Sequence, residues 1–129
     1  MEAPLRNLIV VGTDGTAGRS VQRATELALA LGSSIHLVAS QTRLLGDVTE
    51  LGEAVNEMAR DLRDRGLDVE VDVRRGDPVA SLVDVATEEH ARLIVVGAFA
   101  RTGAARLIPA GIGEAVGRQA PCDVLLVRD

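Results

Sequence analysis

The chain of 129 residues contains no lysine, no tryptophan and no tyrosine, with a single phenylalanine, Phe99, and a single cysteine, Cys122. All 14 basic residues are arginine. The absence of lysine excludes Schiff-base catalysis, a phosphate-binding loop of the P-loop type, and the lysine on which a receiver domain depends. With aromatics at 1%, stacking platforms for bases or sugars are nearly absent, and the core has to be aliphatic. One cysteine makes no internal disulfide, which fits a reducing cytoplasm. No apolar run approaches the ~20 residues that cross a bilayer, and Met1-Glu2-Ala3-Pro4 lacks the basic and long apolar pattern of a signal peptide. The net charge of −5 argues against general nucleic-acid binding, which needs clustered cations. The expectation is a soluble cytoplasmic protein with no membrane and no nucleic-acid partner.

What the chain does have is 47% apolar residues, distributed in two alternating kinds of segment. Asn7 to Thr13 is a short β-branched run closed by glycine, as a buried strand is, and Ser34 to Ser40 reads the same way. Asp68 to Arg74 alternates strictly, as a half-exposed or edge strand does. Arg92 to Gly97 is the strongest central strand, and Asp123 to Arg128 is the last. Between them, Val21, Ala24, Leu27, Ala28 and Leu31 recur at helical spacing, with Gly32 as the stop. Leu51, Val55, Met58, Ala59 and Leu62 form a second helical stripe ended by Gly66. Asp77-Pro78 starts a third helix, with the carboxylate as cap and proline at the first position, and Val79, Leu82, Val83 and Ala86 face inward. A fourth helix runs from about Gly111 to Gln119. Strand–helix alternation with short connections predicts an α/β domain over residues 1–129, a parallel sheet covered on both faces.

The one long irregular stretch, Ala98 to Pro109, leaves the carboxyl end of the strongest strand, where open parallel sheets bind ligands. The run from Gly97 through Ala110, Gly111, Ile112 and Gly113 is rich in small residues. These either let backbone approach a ligand at a helix N-terminus, with Arg101 and Arg106 adding positive charge, or simply pack tightly. Gly12-Thr13-Asp14-Gly15-Thr16-Ala17-Gly18 follows the first strand. Its glycine spacing is not that of a dinucleotide fold, and Ser40-Gln41 supplies no acidic residue for a ribose. Asp14 is a cap for the first helix, a ligand group, or both. No nucleophile elbow and no Cys/His metal spacing occurs. His36 reads as a packed strand residue and His90 as a solvated helix-end residue; Glu88 and Glu89, being adjacent, point different ways.

Ile9-Val10-Val11-Gly12-Thr13-Asp14-Gly15-Thr16, Arg75-Gly76-Asp77-Pro78, Leu93-Ile94-Val95-Val96-Gly97 and Gln119-Ala120-Pro121-Cys122-Asp123-Val124-Leu125-Leu126-Val127, in this order and spacing, resemble the universal stress protein family over essentially the whole chain. The resemblance implies a doubly wound five-stranded parallel sheet of order 3-2-1-4-5 with four helices, of the adenine nucleotide α-hydrolase-like type. Some members bind ATP or a related adenine nucleotide through G-x-x-G, nine residues, then G followed by Ser or Thr. Here Gly97 matches, whereas Ala100, Ala110 and Gly111 depart from the second, third and hydroxyl positions. A methyl at a phosphate-facing position hinders close approach, and the missing hydroxyl removes one hydrogen bond. Asp14 matches the family's nucleotide-side aspartate, and Thr13 and Ala39 fall where the family lines its adenosine pocket. The family contains ATP-binding and non-binding members, and these departures lean towards the latter; retained adenosine contacts with altered phosphate contacts also suit a smaller-headed nucleotide such as AMP or cyclic AMP.

The apolar C-terminal strand, Val124, Leu125, Leu126 and Val127, lies at a sheet edge in such a fold, which predicts a homodimer through it. The functional expectation is a non-catalytic protein of the cytosolic stress response, acting through dimerisation and adenine-nucleotide sensing. Two alternatives stand beside it. One is weak nucleotide hydrolysis with Asp14 as base; the other is a protein-interaction module that has lost its nucleotide.

Overall fold

The computed structural model describes residues 4–16, 18–41, 48–97 and 112–128. Five strands, β1 (Arg6–Gly12), β2 (Ser34–Gln41), β3 (Val69–Arg75), β4 (Ala91–Gly97) and β5 (Asp123–Val127), alternate with α1 (Arg19–Leu31), α2 (Val48–Asp64), α3 (Pro78–Glu88) and α4 (Ile112–Gln119). The strands form one all-parallel sheet in the order β3-β2-β1-β4-β5. This is the doubly wound architecture that the sequence pattern and the resemblance imply.

Strand alternation divides the core in two. Ile9 and Val11 of β1, Ile35, Leu37 and Ala39 of β2, Val69 of β3 and Val95 of β4 face α1 and α2. Leu8 and Val10 of β1, Val38 of β2, and Ile94 and Val96 of β4 face α3 and α4. Because both faces of β1 are covered, Leu8, Ile9, Val10 and Val11 are all buried, which explains the unbroken apolar run. Strand β3 lies at an edge: Val69, Val71 and Val73 turn to the first core, and the alternate Glu70, Asp72 and Arg74 take the opposite side. That is the physical origin of its strict alternation.

The helices follow their stripes with two corrections. On α1 the buried set is Val21, Ala24, Thr25 and Ala28, while Leu31 is 49% exposed. Leu31 sits on the last turn, just before Gly32 reverses the chain in the left-handed region (φ 65°), where its side chain is left half in solvent. On α3, Val79, Leu82 and Ala86 are buried as expected, Val83 only partly, and Ser81 and Val85 complete the inner face. Ser81 is accommodated because its hydroxyl donates to the Asp77 carbonyl at 3.0 Å. The Asp77 carboxylate caps α3, accepting from the backbone N–H groups of Val79 (3.2 Å) and Ala80 (3.4 Å).

Replacing Asp77 with alanine should lower the unfolding free energy by about 1 kcal/mol, the usual cost of a lost cap. Ile9→Ala should cost about 2–5 kcal/mol and Leu31→Ser under about 0.5 kcal/mol. Urea unfolding followed by far-ultraviolet circular dichroism measures all three without needing a tryptophan.

Candidate functional site

Strands β1 and β4 are neighbours from which the chain winds in opposite directions, β1 towards β2 and β4 towards β5. Their carboxyl ends flank the switch point, where an open parallel sheet leaves a crevice between diverging connections. Gly12, Thr13 and Asp14 stand on one side of it and Gly97 on the other.

The turn after β1 satisfies its own polar groups. The Thr13 amide donates to the Val38 carbonyl at 3.0 Å, tying the turn to β2. The Thr13 hydroxyl accepts from the Gly15 amide (3.1 Å) and donates to the Thr16 carbonyl (3.3 Å). Asp14 Oδ1 accepts from both the amide (2.9 Å) and the hydroxyl (2.5 Å) of Thr16. Gly15 is required here: its φ is +95°, and a Cβ would lie 3.1 Å from Leu51 Cδ1. The expectation that Asp14 caps the first helix is corrected by this geometry. Gly18, which has no side chain to offer, is the N-cap of α1, and the Asp14 carboxylate is engaged two residues on, in a turn of its own. Its second oxygen makes no hydrogen bond among the described residues, and the side chain is exposed.

The glycines at the switch point differ in what they do. A Cβ on Gly12 would meet Leu82 Cδ2 at 3.3 Å and Val96 Cγ1 at 3.4 Å, so Gly12 serves the packing of α3 on the sheet. A Cβ on Gly113 would collide with Leu126 Cδ2, so Gly113 lets the edge strand lie close to α4. Gly97 is exposed, and among the described residues nothing lies within 4 Å of where a Cβ would stand. Ala39 is fully enclosed in the first core, and Ile112 packs against the second. Ala100, Ala110 and Gly111, like Arg101 and Arg106, lie outside the described residues.

At the edge, β5 pairs with β4 alone among the described strands. Val127 is buried, Val124 and Leu125 are half-buried, and Leu126 is 44% exposed. Burial pushes the Cys122 thiol up from its ordinary range, and the neighbouring Asp123 charge adds to the shift.

A second set of polar side chains gathers near the amino ends of the strands, and sequence reasoning did not assemble it. His36 is buried on β2, as a packed strand residue should be, yet it faces the carboxylates of β3 rather than apolar neighbours. The signal was present in the alternation that puts Glu70, Asp72 and Arg74 on one side; the missing information was that β2 and β3 pair with His36 opposite Glu70. Glu88 and Glu89 do diverge: Glu88 accepts from Arg74 at 3.0 Å and Glu89 from Arg6 at 2.9 Å. The Glu88 hydrogen bond, reinforced by Asp72, raises the Arg74 guanidinium further above its ordinary value, with burial opposing. His90 is exposed in the turn after α3, at φ 54°.

Comparison with known proteins gives one consistent answer. The model of the universal stress protein family matches residues 6–128. A universal stress protein of Methanocaldococcus jannaschii is 29% identical over 76 residues, which are 59% of this chain and 45% of that protein; the chain thus matches less than half of that relative's length. The crystal structure of a universal stress protein in complex with cAMP is 29% identical, with a TM-score of 0.72 and 98% of each chain covered. A universal stress protein from Archaeoglobus fulgidus in complex with dAMP shares the fold at 23% identity, with a TM-score of 0.72 and 95% and 96% of the two chains covered.

Two outcomes follow from the local geometry. Asp14→Ala should raise the hydrogen-exchange rate of the Thr16 amide while changing global stability by less than about 1 kcal/mol, since only an exposed turn is released. For Cys122 the sign is set by a raised folded-state pKa: the neutral thiol is favoured in the fold. Its contribution is complete below the unfolded thiol's pKa and is lost as pH rises through the folded value. Disulfide-exchange reagents at mildly alkaline pH should therefore modify the native protein several-fold more slowly than the urea-unfolded chain.

Proposed function

The chain belongs to the universal stress protein family, and from that premise we propose that it is a non-catalytic adenine-nucleotide sensor of the cytosolic stress response, working as a homodimer. The observation that carries this reading is the juxtaposition at the switch point. The open backbone of Gly97 stands across from the Thr13–Thr16 turn, where the Asp14 carboxylate keeps one oxygen without a described partner. A carboxylate oxygen in that position accepts from a ribose hydroxyl, and an uncovered glycine backbone admits a phosphate. The relative solved with cAMP is 29% identical over nearly the whole chain and supports an adenine mononucleotide as ligand.

The replacements Ala100, Ala110 and Gly111 set the preference within that class. Each removes a feature that suits a long polyphosphate, through an added methyl or a lost hydroxyl, so AMP and cyclic AMP are favoured over ATP. The same replacements favour the second reading, a module that has lost its nucleotide and acts by association alone. Turnover has no part in either reading.

Dimerisation through β5 rests on its exposed Leu126 and on an edge that only β4 pairs among the described strands. Light scattering should give twice the subunit mass, and Leu126→Asp should return it to that of one subunit. Leu126 is the better position to test than Leu125, whose side chain packs against the first core.

With no tryptophan or tyrosine, the polypeptide is almost dark at 280 nm. Bound adenine should therefore dominate the spectrum near 260 nm and move to the supernatant on acid precipitation. In competition, AMP and cyclic AMP should displace a fluorescent adenine nucleotide at lower concentration than ATP. An empty spectrum with no displacement by any of the three would overturn nucleotide sensing in favour of association alone.

A further inference from the structure

The cluster at the amino ends of β2 and β3 has the geometry of a metal site. His36 is 4% exposed at its side chain, and its Nε2 lies 2.7 Å from Asp72 Oδ2. A carboxylate accepts, so this nitrogen donates to Asp72, and Nδ1 is the ring nitrogen that remains to meet a metal. That nitrogen makes no hydrogen bond among the described residues; Glu70 Oε2 stands 3.7 Å from it. One ligand atom each from His36, Glu70 and Glu89 lie within 4.8 Å of one another.

From this arrangement we propose that His36, Glu70 and Glu89 form a binding site for a divalent transition metal, with Zn²⁺ as the fitting ion. Three features carry it. First, His36 Nδ1 makes no hydrogen bond among the described residues and faces Glu70 Oε2 at 3.7 Å, a gap that a cation held by both would bridge. Second, Asp72 holds the other ring N–H in the carboxylate–histidine–metal manner, fixing both the tautomer and the ring orientation. Third, the donor set of one imidazole and two carboxylates suits zinc, whose ligands stand about 2.0–2.2 Å from the ion. Drawing the three ligand atoms around one ion asks movement chiefly of Glu70, whose side chain is 75% exposed. Arg6 holds Glu89 through Oε2 at 2.9 Å, which positions the carboxylate while leaving it a second oxygen. A register shift between β1 and β4 falls between Arg6 and Ile9, at the foot of the strand that delivers this arginine. Three protein ligands leave zinc an open coordination position.

The cluster lies at the opposite end of the strands from Gly12 and Gly97 and does not depend on the nucleotide reading. Cys122 is not among the clustered ligand atoms.

Chelator-treated protein titrated calorimetrically with ZnCl₂ should bind one ion per chain, while MgCl₂ should give no comparable heat. Glu70→Gln changes an exposed residue, keeps the fold by circular dichroism, and should weaken zinc binding by at least 10-fold. Asp72→Asn should weaken it by about 10- to 100-fold through loss of the orienting carboxylate. Co²⁺ substitution supplies the independent readout: visible ligand-field bands with no thiolate charge-transfer band near 300–350 nm are expected for nitrogen and oxygen ligands. The proposal is overturned if zinc uptake is the same in Glu70→Gln as in the unaltered protein, if no uptake occurs, or if a thiolate band places the ion on Cys122.

Discussion

Two helices lie on each face of the sheet, so a residue in β1 or β4 must be apolar whichever way it points. With one phenylalanine in the whole chain, that demand falls on valine, isoleucine, leucine and alanine. Leu8, Ile9, Val10 and Val11 meet it along β1, and Ile94, Val95 and Val96 along β4. Each such side chain contributes about 1.5–3 kcal/mol of burial, and β-branching suits the pleat on which it packs. β1 stands at the middle of the sheet between β2 and β4, and β1 and β4 each send apolar side chains into both halves of the core. Once they are paired there, the connections diverge, and the crevice at their carboxyl ends follows from topology rather than from any residue in it.

That dependence separates scaffold from site. Gly12 and Gly113 are glycines because Leu82, Val96 and Leu126 occupy the space a side chain would take. Gly15 is glycine because the turn reverses at φ +95° beside Leu51. None of these three needs a ligand to explain it. Gly97 has neither a tight neighbour among the described residues nor a positive φ, so the packing that explains the other three does not explain it. A motif written as a row of glycines conceals this difference; the packing around each one reveals it.

The elements were legible in the sequence because each is written twice, in apolar period and in end signals. Gly32 and Asp77-Pro78 mark helix boundaries that the structure places within a residue of expectation. Leu31 misled because helical spacing says which residues share a face and nothing about how much of that face is covered at the helix end. Asp14 misled because a carboxylate before a helix has two partners in reach, and the nearer Thr16 amide and hydroxyl captured it. The His36 cluster was illegible for a different reason. Its members stand on β2, on β3 and just beyond α3, far apart in the chain, and only strand order and register bring them to one face.

The two edges of the sheet are not equivalent, and the difference bears on assembly. On β3 every second residue from Glu70 to Arg74 is charged, and Asp72 and Arg74 are engaged with His36 and Glu88. A strand that would extend the sheet there has to lie against that row of charges, which is one of the ways proteins keep an edge unpaired. On β5 the corresponding positions are Val124 and Leu126, and Asp123 is the only charge within the strand. An added strand at that edge would extend an apolar face instead of desolvating a charged one. The same alternation that gives β3 its carboxylates therefore makes that edge the costlier one to cover, and the dimer proposed through β5 would use the edge with the smaller desolvation cost.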